Sequence, residues 1–385
     1  MTIPVYLDNH STTRPDERVI EAMLPYLKEH YGNPSSQGHP FGWAASSAVE
    51  VSREKVAGFL GAETGEIVFT SGTTESNNLA IKGVALSPHN KKHSIVTTKV
   101  EHPSVLNVMR HLEASGFNVT YLPVDRSGLL DLNELEESIS EDTFLVSIMT
   151  ANNEIGTIYP VEEIGEICHK KGVLFHTDAA QAIGKLEIDL KKVHIDLISF
   201  SAHKNHGPKG IGALYIRRKS PKIKITPLFQ GGGQEKDLRP GTLNTPAIVG
   251  FAKSLELSEE LMSSEVERIA ALRNRLEAGI FESLEGVYLN GHPEKRLPNN
   301  LNISIKNVNI DRLLGDLRDL ALSTGSACSS GSAEGSHVLK ALGLSPDLLK
   351  ASIRFGLGRF TTEEEIDYTI KRFLEAVKSQ RERNL

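Results

Sequence analysis

The 385-residue chain has two cysteines, one tryptophan and no apolar run of the roughly 18 residues that a membrane-spanning helix needs. Two thiols, Cys168 and Cys328, build no disulfide framework and do not stand at metal-ligand spacing, so no metal site is expected and a reducing, cytoplasmic setting is. Positive charge is scarce: 43 Lys and Arg against 49 Asp and Glu give a net charge of −6, which argues against a nucleic-acid surface. Lys91-Lys92 and Arg217-Arg218-Lys219 are too short to act as basic tracts. The first residues, Met-Thr-Ile-Pro-Val-Tyr-Leu-Asp, lack the basic and apolar regions of a signal peptide, so none is expected. Neither Gly-x-x-x-x-Gly-Lys-Ser/Thr nor Gly-x-Gly-x-x-Gly occurs, which argues against a nucleotide cradle. There is no internal repeat.

What is present is ordinary for a soluble enzyme: 39% hydrophobic and 24% charged residues, over a length that supports two domains. From about residue 15 to 255, short apolar runs alternate with amphipathic stretches. Strands are expected at 66–70, 93–97, 118–122, 144–149, 173–177, 196–200 and 212–216, with helices such as 103–115 and 161–171 between them. That alternation predicts an α/β fold with a large, mostly parallel sheet covered on both faces, and ligands beyond the carboxyl ends of its strands. Residues 256–385 read as a smaller α+β domain: a long helix through 265–284, strands at 300–305 and 351–355, and a terminal helix after Thr361-Thr362. Residues 1–14 are expected to pack with it.

Polar clusters fall at the expected strand ends. Lys204, in Ser-Phe-Ser-Ala-His-Lys-Asn-His-Gly-Pro, follows an apolar run and precedes a turn. A lysine desolvated there loses its proton easily and forms Schiff bases, although a solvated loop lysine is the ordinary alternative. Thr70-Ser-Gly-Thr-Thr-Glu-Ser-Asn-Asn78 passes from strand to helix. Thr73 and Thr74 would offer hydroxyls and free N–H groups to an anion, or merely cap a helix. Asp178 ends the run Val173–Thr177, where a carboxylate needs a cation such as a protonated pyridine nitrogen, or caps the next helix. His102, in Glu-His-Pro-Ser, suits ring stacking or proton transfer, or is a loop histidine. Cys328 stands in the Gly/Ser-rich stretch Ser323–Gly331 and reads as a reactive thiol, with an incidental loop thiol as the alternative. Arg354, within Ile-Arg-Phe-Gly-Leu-Gly-Arg, is able to grip a carboxylate or to serve a structural ion pair. Asn33 and Asn153 sit in turn-like contexts, orienting a ligand or capping a turn.

Taken in order, Ser-Gly-Thr-Thr-Glu-Ser-Asn-Asn, Glu-His-Pro-Ser, Asn-Asn-Glu-Ile-Gly, Asp-Ala-Ala-Gln, Ser-Ala-His-Lys, Gly-Gly-Gly-Gln-Glu, Arg-x-Gly-Thr, Gly-Ser-Ala-Cys and Arg-Phe-x-Leu-Gly-Arg resemble a cysteine desulfurase of the NifS/IscS type. These are class V, fold-type I enzymes that use pyridoxal 5'-phosphate (PLP). The resemblance runs from Tyr6 to Glu365. It implies Lys204 as the Schiff-base lysine and Asp178 as the partner of the ring nitrogen. His102 stacks on the ring and is a proton-transfer candidate, and Gln181 bonds the ring oxygen. Thr74, Ser201 and His203 hold the phosphate with the Thr73 backbone. Thr242 reaches the phosphate of a neighbouring subunit, which implies a homodimer. Arg354, with Asn33 and Asn153, takes the carboxylate of L-cysteine, and Cys328 accepts the sulfur as a persulfide, leaving L-alanine. A sulfur-acceptor protein, such as an iron–sulfur scaffold, is then the expected partner. A selenocysteine lyase, or another class V enzyme such as an aminotransferase, would use the same lysine and aspartate. A non-enzymatic iron–sulfur scaffold would bind no PLP. Two pairs depart from the family pattern: Asn205-His206, and His10-Ser11 in Asn-His-Ser-Thr-Thr.

Overall fold

The computed structural model describes residues 3–218, 222–324 and 335–383. Among them the chain runs through β1 (Val5–Tyr6), α1 (Glu17–Lys28), α2 (Pro40–Leu60), β2 (Ile67–Thr70), α3 (Thr73–Ala85), β3 (Ser94–Thr98), α4 (Pro103–Ala114), β4 (Asn118–Leu122), α5 (Leu132–Ser138), β5 (Thr143–Ser147), α6 (Val161–Lys171), β6 (Leu174–Asp178), β7 (Leu197–Ser201) and β8 (Gly212–Ile216). Then come α7 (Thr245–Phe281), β9 (Val287–Leu289), β10 (Asn300–Ile305), α8 (Ile310–Asp316), β11 (Leu320–Ala321), α9 (His337–Ala341), α10 (Pro346–Lys350), β12 (Ser352–Gly356) and α11 (Glu363–Arg383). Side-chain caps set several helix starts: Asp16, His102, Asn244 and Ser336 each accept from a first-turn N–H. Among the described residues, no helix is long and apolar enough to cross a membrane.

Seven strands form one sheet in the order β2-β8-β7-β6-β5-β3-β4. The pairs β4/β3, β3/β5, β5/β6 and β6/β7 are parallel, whereas β8 runs antiparallel to both β7 and β2. The reversal follows from chain length. Residues 202–211 alone join β7 to β8, fewer than the dozen or so that a parallel crossover requires. Alternation along each strand gives the sheet two apolar faces. Val68, Ile95, Leu145, Leu197 and Leu214 pack with buried residues of α3 and α4. Their neighbours Phe69, Val96, Val146, Ile198 and Ala213 pack with α2, α6 and the first half of α7. Each of these Val, Leu, Ile and Phe side chains contributes on the order of 1.5–3 kcal/mol by leaving water.

A further core gathers Ile269, Leu272, Leu276 and Ile280 of α7 with Leu301 and Ile303 of β10, Ile353 and Phe355 of β12, and Ile366, Phe373 and Val377 of α11. Strand β10 lies between β12 and β9, antiparallel to both. Position 255/256 lies inside α7, which feeds both cores. The N-terminal segment joins the second core: β1 pairs with β11, and Asn9 N–H donates to Gly356 O at 3.1 Å. At Gly356 a Cβ would lie 3.0 Å from the backbone nitrogens of Asn9 and His10, so this close approach needs glycine.

Candidate active site

A cleft of about 500 Å³ opens where the C-terminal ends of β2, β3, β5, β6 and β7 meet the N-terminal segment and β12. Its lining includes Thr73, Thr74, His102, Asn153, Asp178, Gln181, His203, Lys204 and Arg354. A larger groove of about 850 Å³ runs along residues 305–311 and 347–352. None of its described lining residues carries a buried polar atom without a partner.

One end of the cleft suits an anion. Strand β2 stops at Thr70, and Gly72 takes φ 151° to cap α3. The first N–H groups of such a helix have no acceptor within it. At Gly212 a Cβ would approach the Gly72 Cα to 2.7 Å, so the β7–β8 edge closes directly behind this turn. Ser201 pairs with Gly212 across that edge. The Thr73 and Ser201 hydroxyls are both buried with no hydrogen-bond partner. Unsatisfied hydroxyls behind a helix N-terminus fit a phosphate group. His203 stands nearby with Nδ1 3.2 Å from Thr12 Oγ1. Burial, then the Lys204, Lys209 and Lys185 charges, push its imidazole down to about 4.

Asp178 ends β6 and is buried. Its carboxylate accepts from Asn77 Nδ2 at 2.7 Å and from Ala180 N at 3.0 Å. The same Asn77 amide donates to Ser104 Oγ at 2.9 Å, and Ser104 Oγ lies 2.8 Å from His102 Nδ1. A continuous chain of polar groups therefore joins the acid of β6 to the histidine that caps α4. His102 Nδ1 also accepts from Ser104 N at 3.1 Å, which leaves the neutral ring's proton on Nε2. Burial lowers the His102 pKa, with the Asp178 charge opposing.

Lys204 lies just beyond β7. Its amine donates to Ser11 O at 2.7 Å and to His10 O. Gln181 Nε2 donates to the same His10 carbonyl at 3.0 Å, and its Oε1 lies 2.9 Å from His10 Nδ1. Burial and the Arg354 charge hold His10 well below the usual histidine range. The His10-Ser11 pair that departs from the family pattern is thus a wall of the site. Asn205 and His206 do different work. Ser258 Oγ donates to Asn205 Oδ1 at 2.8 Å, and His206 Nδ1 lies 2.9 Å from Arg14 O, so both pack behind Lys204.

Arg354 enters the cleft from β12. It donates to Asn153 O at 2.7 Å and to Asp8 Oδ1 and Ser11 Oγ at 3.0 Å each, while its Nε is buried without a partner. Asn33 does not join it in this chain. It is exposed in the turn before α2, where its Oδ1 accepts from Ser35 N at 2.9 Å, so its side chain serves that turn. Thr242 is also exposed and away from the cleft lining. Arg239, in the same segment, bonds Glu75 Oε1 of α3 at 2.9 Å. Cys328 lies outside the described residues. The described chain on either side is tied to the cleft: Arg354 N donates to Ser323 O at 2.7 Å, and His337 Nε2 lies 2.9 Å from Glu101 O. The Ser336 hydroxyl donates to Glu154 Oε2 at 2.5 Å.

Sequence reasoning did not assign Asn77, Ser104, Glu101 or Lys185. Glu101 is fully buried, accepts from Met149 N and Thr98 Oγ1, and is pushed up to about 8 by that burial. A carboxylate beside a proposed stacking histidine was legible in Glu-His-Pro-Ser, but its inward direction was not.

A family model for aminotransferase class-V matches residues 5–369. The chain belongs to the class-V aminotransferase family. Its relatives within the family include the cysteine desulfurase IscS of Ehrlichia chaffeensis, 51% identical over 99% of this chain and 93% of that protein. The human cysteine desulfurase is 51% identical over 98% of this chain and 83% of its own. A solved NifS-like structure superposes with a TM-score of 0.91 at 43% identity, covering 97% of this chain and 99% of that one. Another, of SspA in complex with cysteine, gives 0.81 at 37% identity, covering 93% and 100%. The family cofactor is PLP. The buried, unpartnered hydroxyls of Thr73 and Ser201, the Asp178 carboxylate and the Lys204 amine fit its phosphate, ring nitrogen and aldehyde respectively.

Proposed function

We propose that this protein is a PLP-dependent cysteine desulfurase that moves sulfur from L-cysteine to its own Cys328 and releases L-alanine. The observation that carries the reading is one cleft uniting the Lys204 amine, the Asp178 carboxylate, the unpartnered Thr73 hydroxyl and the half-satisfied Arg354 guanidinium. When bound, PLP supplies the electron sink that loosens the bonds around the substrate α-carbon. Lys204 would hold it by the aldehyde, Asp178 by the ring nitrogen, Gln181 by the ring oxygen, and His102 by the ring face. Thr73, Thr74, Ser201 and His203 would hold its phosphate.

The chain's residues then divide the work. Arg354 takes the substrate carboxylate, with Asn153 beside it. Lys204 Nζ would be the base for the substrate α-proton, because its amine stands at the junction of the cleft's walls. The Cys328 thiolate attacks the substrate sulfur. An S–S bond forms as the Cβ–S bond breaks, leaving a persulfide on Cys328 and, after proton return, alanine. A related solved structure contains cysteine, which supports that substrate. The exposed Thr242, held near α3 by Arg239 and Glu75, supports a homodimer in which it reaches the neighbour's phosphate. A sulfur acceptor of the iron–sulfur scaffold kind is the matching partner.

The test is mass spectrometry after brief exposure of the holoenzyme to L-cysteine, with alanine measured in parallel. One added sulfur mapped to Cys328, with alanine formed, is the expected result. Transamination without sulfur transfer would sink the reading.

A further inference from the structure

Lys185 lies directly behind Lys204. It follows the Asp178–Gln181 segment, and its Nζ donates to the backbone oxygen of Lys204 at 3.0 Å. Gly184, Lys185, Lys204, Asn205, Glu265 and Arg359 share the wall of a small cavity on the side of Lys204 away from the cleft. Among the described residues, Lys185 has no carboxylate within ion-pair distance. The acid acting on it, Glu265, is engaged by Arg359 at 2.6 Å. The titratable and charged groups facing Lys185 are therefore Lys204, His10, His203, His206, Arg359 and Glu265. Glu265 supplies the negative charge, and it is already paired.

A lysine in such company is either a packing accident or a device. The surroundings of Lys204 favour a device. Two backbone carbonyls, those of His10 and Ser11, accept from the Lys204 amine. Acceptors alone stabilise ammonium and would keep the amine from serving as a base. A second cation close by opposes them, because two ammonium groups in a poorly solvated site repel.

We propose that Lys185 is a positioning residue for Lys204, fixing its backbone through the carbonyl oxygen and disfavouring the protonated form of its amine by like charge. The proposal rests on the reading of Lys204 as the lysine that holds the cofactor and acts as base. The arrangement gives the pair coupled titrations, in which one proton is lost easily and the other is held. Burial, followed by the Lys204 charge, brings the Lys185 amine down to about 7, so its charge acts on Lys204 below about that pH and fades above it.

The experiment uses cofactor-free protein, so that no turnover is needed. Acetic anhydride acylates free amines, and mass spectrometry maps the rate at Lys204 as pH is varied. Lys185→Met and Lys185→Gln remove the charge, the second retaining a donor; Lys185→Arg keeps it. The expected result is a Lys204 midpoint about one pH unit or more higher in the Met and Gln variants, read as roughly tenfold slower acylation below about pH 7, where wild-type Lys185 is charged. The Arg variant should stay near wild type. A midpoint unmoved in folded Met or Gln protein, or moved as far by Arg, overturns the proposal. If Met fails to fold, Gln alone decides. A wild type that makes no alanine from L-cysteine would sink the functional reading while leaving the midpoint comparison intact.

Discussion

Arg354 shows how one side chain is prepared for a ligand. Its two terminal nitrogens are held by Asn153 O, Asp8 and Ser11, and its Nε is buried and unsatisfied. The guanidinium is thus fixed in orientation beside the cleft, with an N–H still unpartnered. Arg354→Ala should raise KM for L-cysteine by about 2–4 kcal/mol, roughly 30- to 800-fold. Arg354→Lys should recover little of it, because an ammonium cannot reproduce the fork. Unchanged KM in either variant would remove Arg354 from the substrate site. Its candidacy was legible because a guanidinium inside an apolar strand demands a partner. Lys204 and Asp178 were legible for the same reason, as charges at the ends of apolar strands. Lys185 was not, since nothing in Gly-Lys-Leu sets it apart until the fold places Lys204 against it. Asn33, read from Gly-Asn-Pro-Ser as orienting a ligand or capping a turn, accepts within its own turn in this chain.

At the level of elements, the site depends on two helix starts held in register. Asn77 in the second turn of α3 and Ser104 in the first turn of α4 join Asp178 to His102 through one amide and one hydroxyl. Asn77→Ala should leave the Asp178 carboxylate short of a donor and free His102 to rotate. The expected effect is about 1–2 kcal/mol weaker cofactor binding, near tenfold, read as loss of the yellow absorbance on dilution. Retention equal to wild type would show that the chain of contacts is incidental. Several strands and helices were readable, because β4, β8, β10 and α6 begin and end where apolar periodicity does. Helix α7 was read short. Its first turns, from Thr245, bury Ala247, Ile248 and Phe251 against the sheet, and the Asn244-Thr-Pro start is a capping signal. The antiparallel β8 was hidden because strand direction depends on connection length and not on composition.

At the scale of the whole molecule, Arg359 fastens three distant stretches of chain. It bonds Asp16 at the start of α1 at 3.0 Å and Glu265 in α7 at 2.6 Å, from the turn that follows β12. All three side chains are largely out of water. Breaking a buried pair leaves an uncompensated charge, so Arg359→Ala should cost about 3 kcal/mol or more. The pH dependence follows from Asp16. Hydrogen bonds from Arg18, opposed by burial and joined by Arg359, hold its carboxyl well below the usual carboxylate range. A carboxyl depressed in the folded state contributes stability that is present above its unfolded value near about 4 and lost as pH falls toward the folded one. The comparison of wild type with Asp16→Asn is therefore expected to change with pH. Near neutral pH the thermal midpoint of the Asn variant should lie clearly below wild type. As pH falls below about 4, the unfolded wild type takes up a proton that the folded carboxyl refuses, and the two midpoints should converge progressively toward the folded value. A gap that stays constant down to acid pH would mean that Asp16 acts through packing alone.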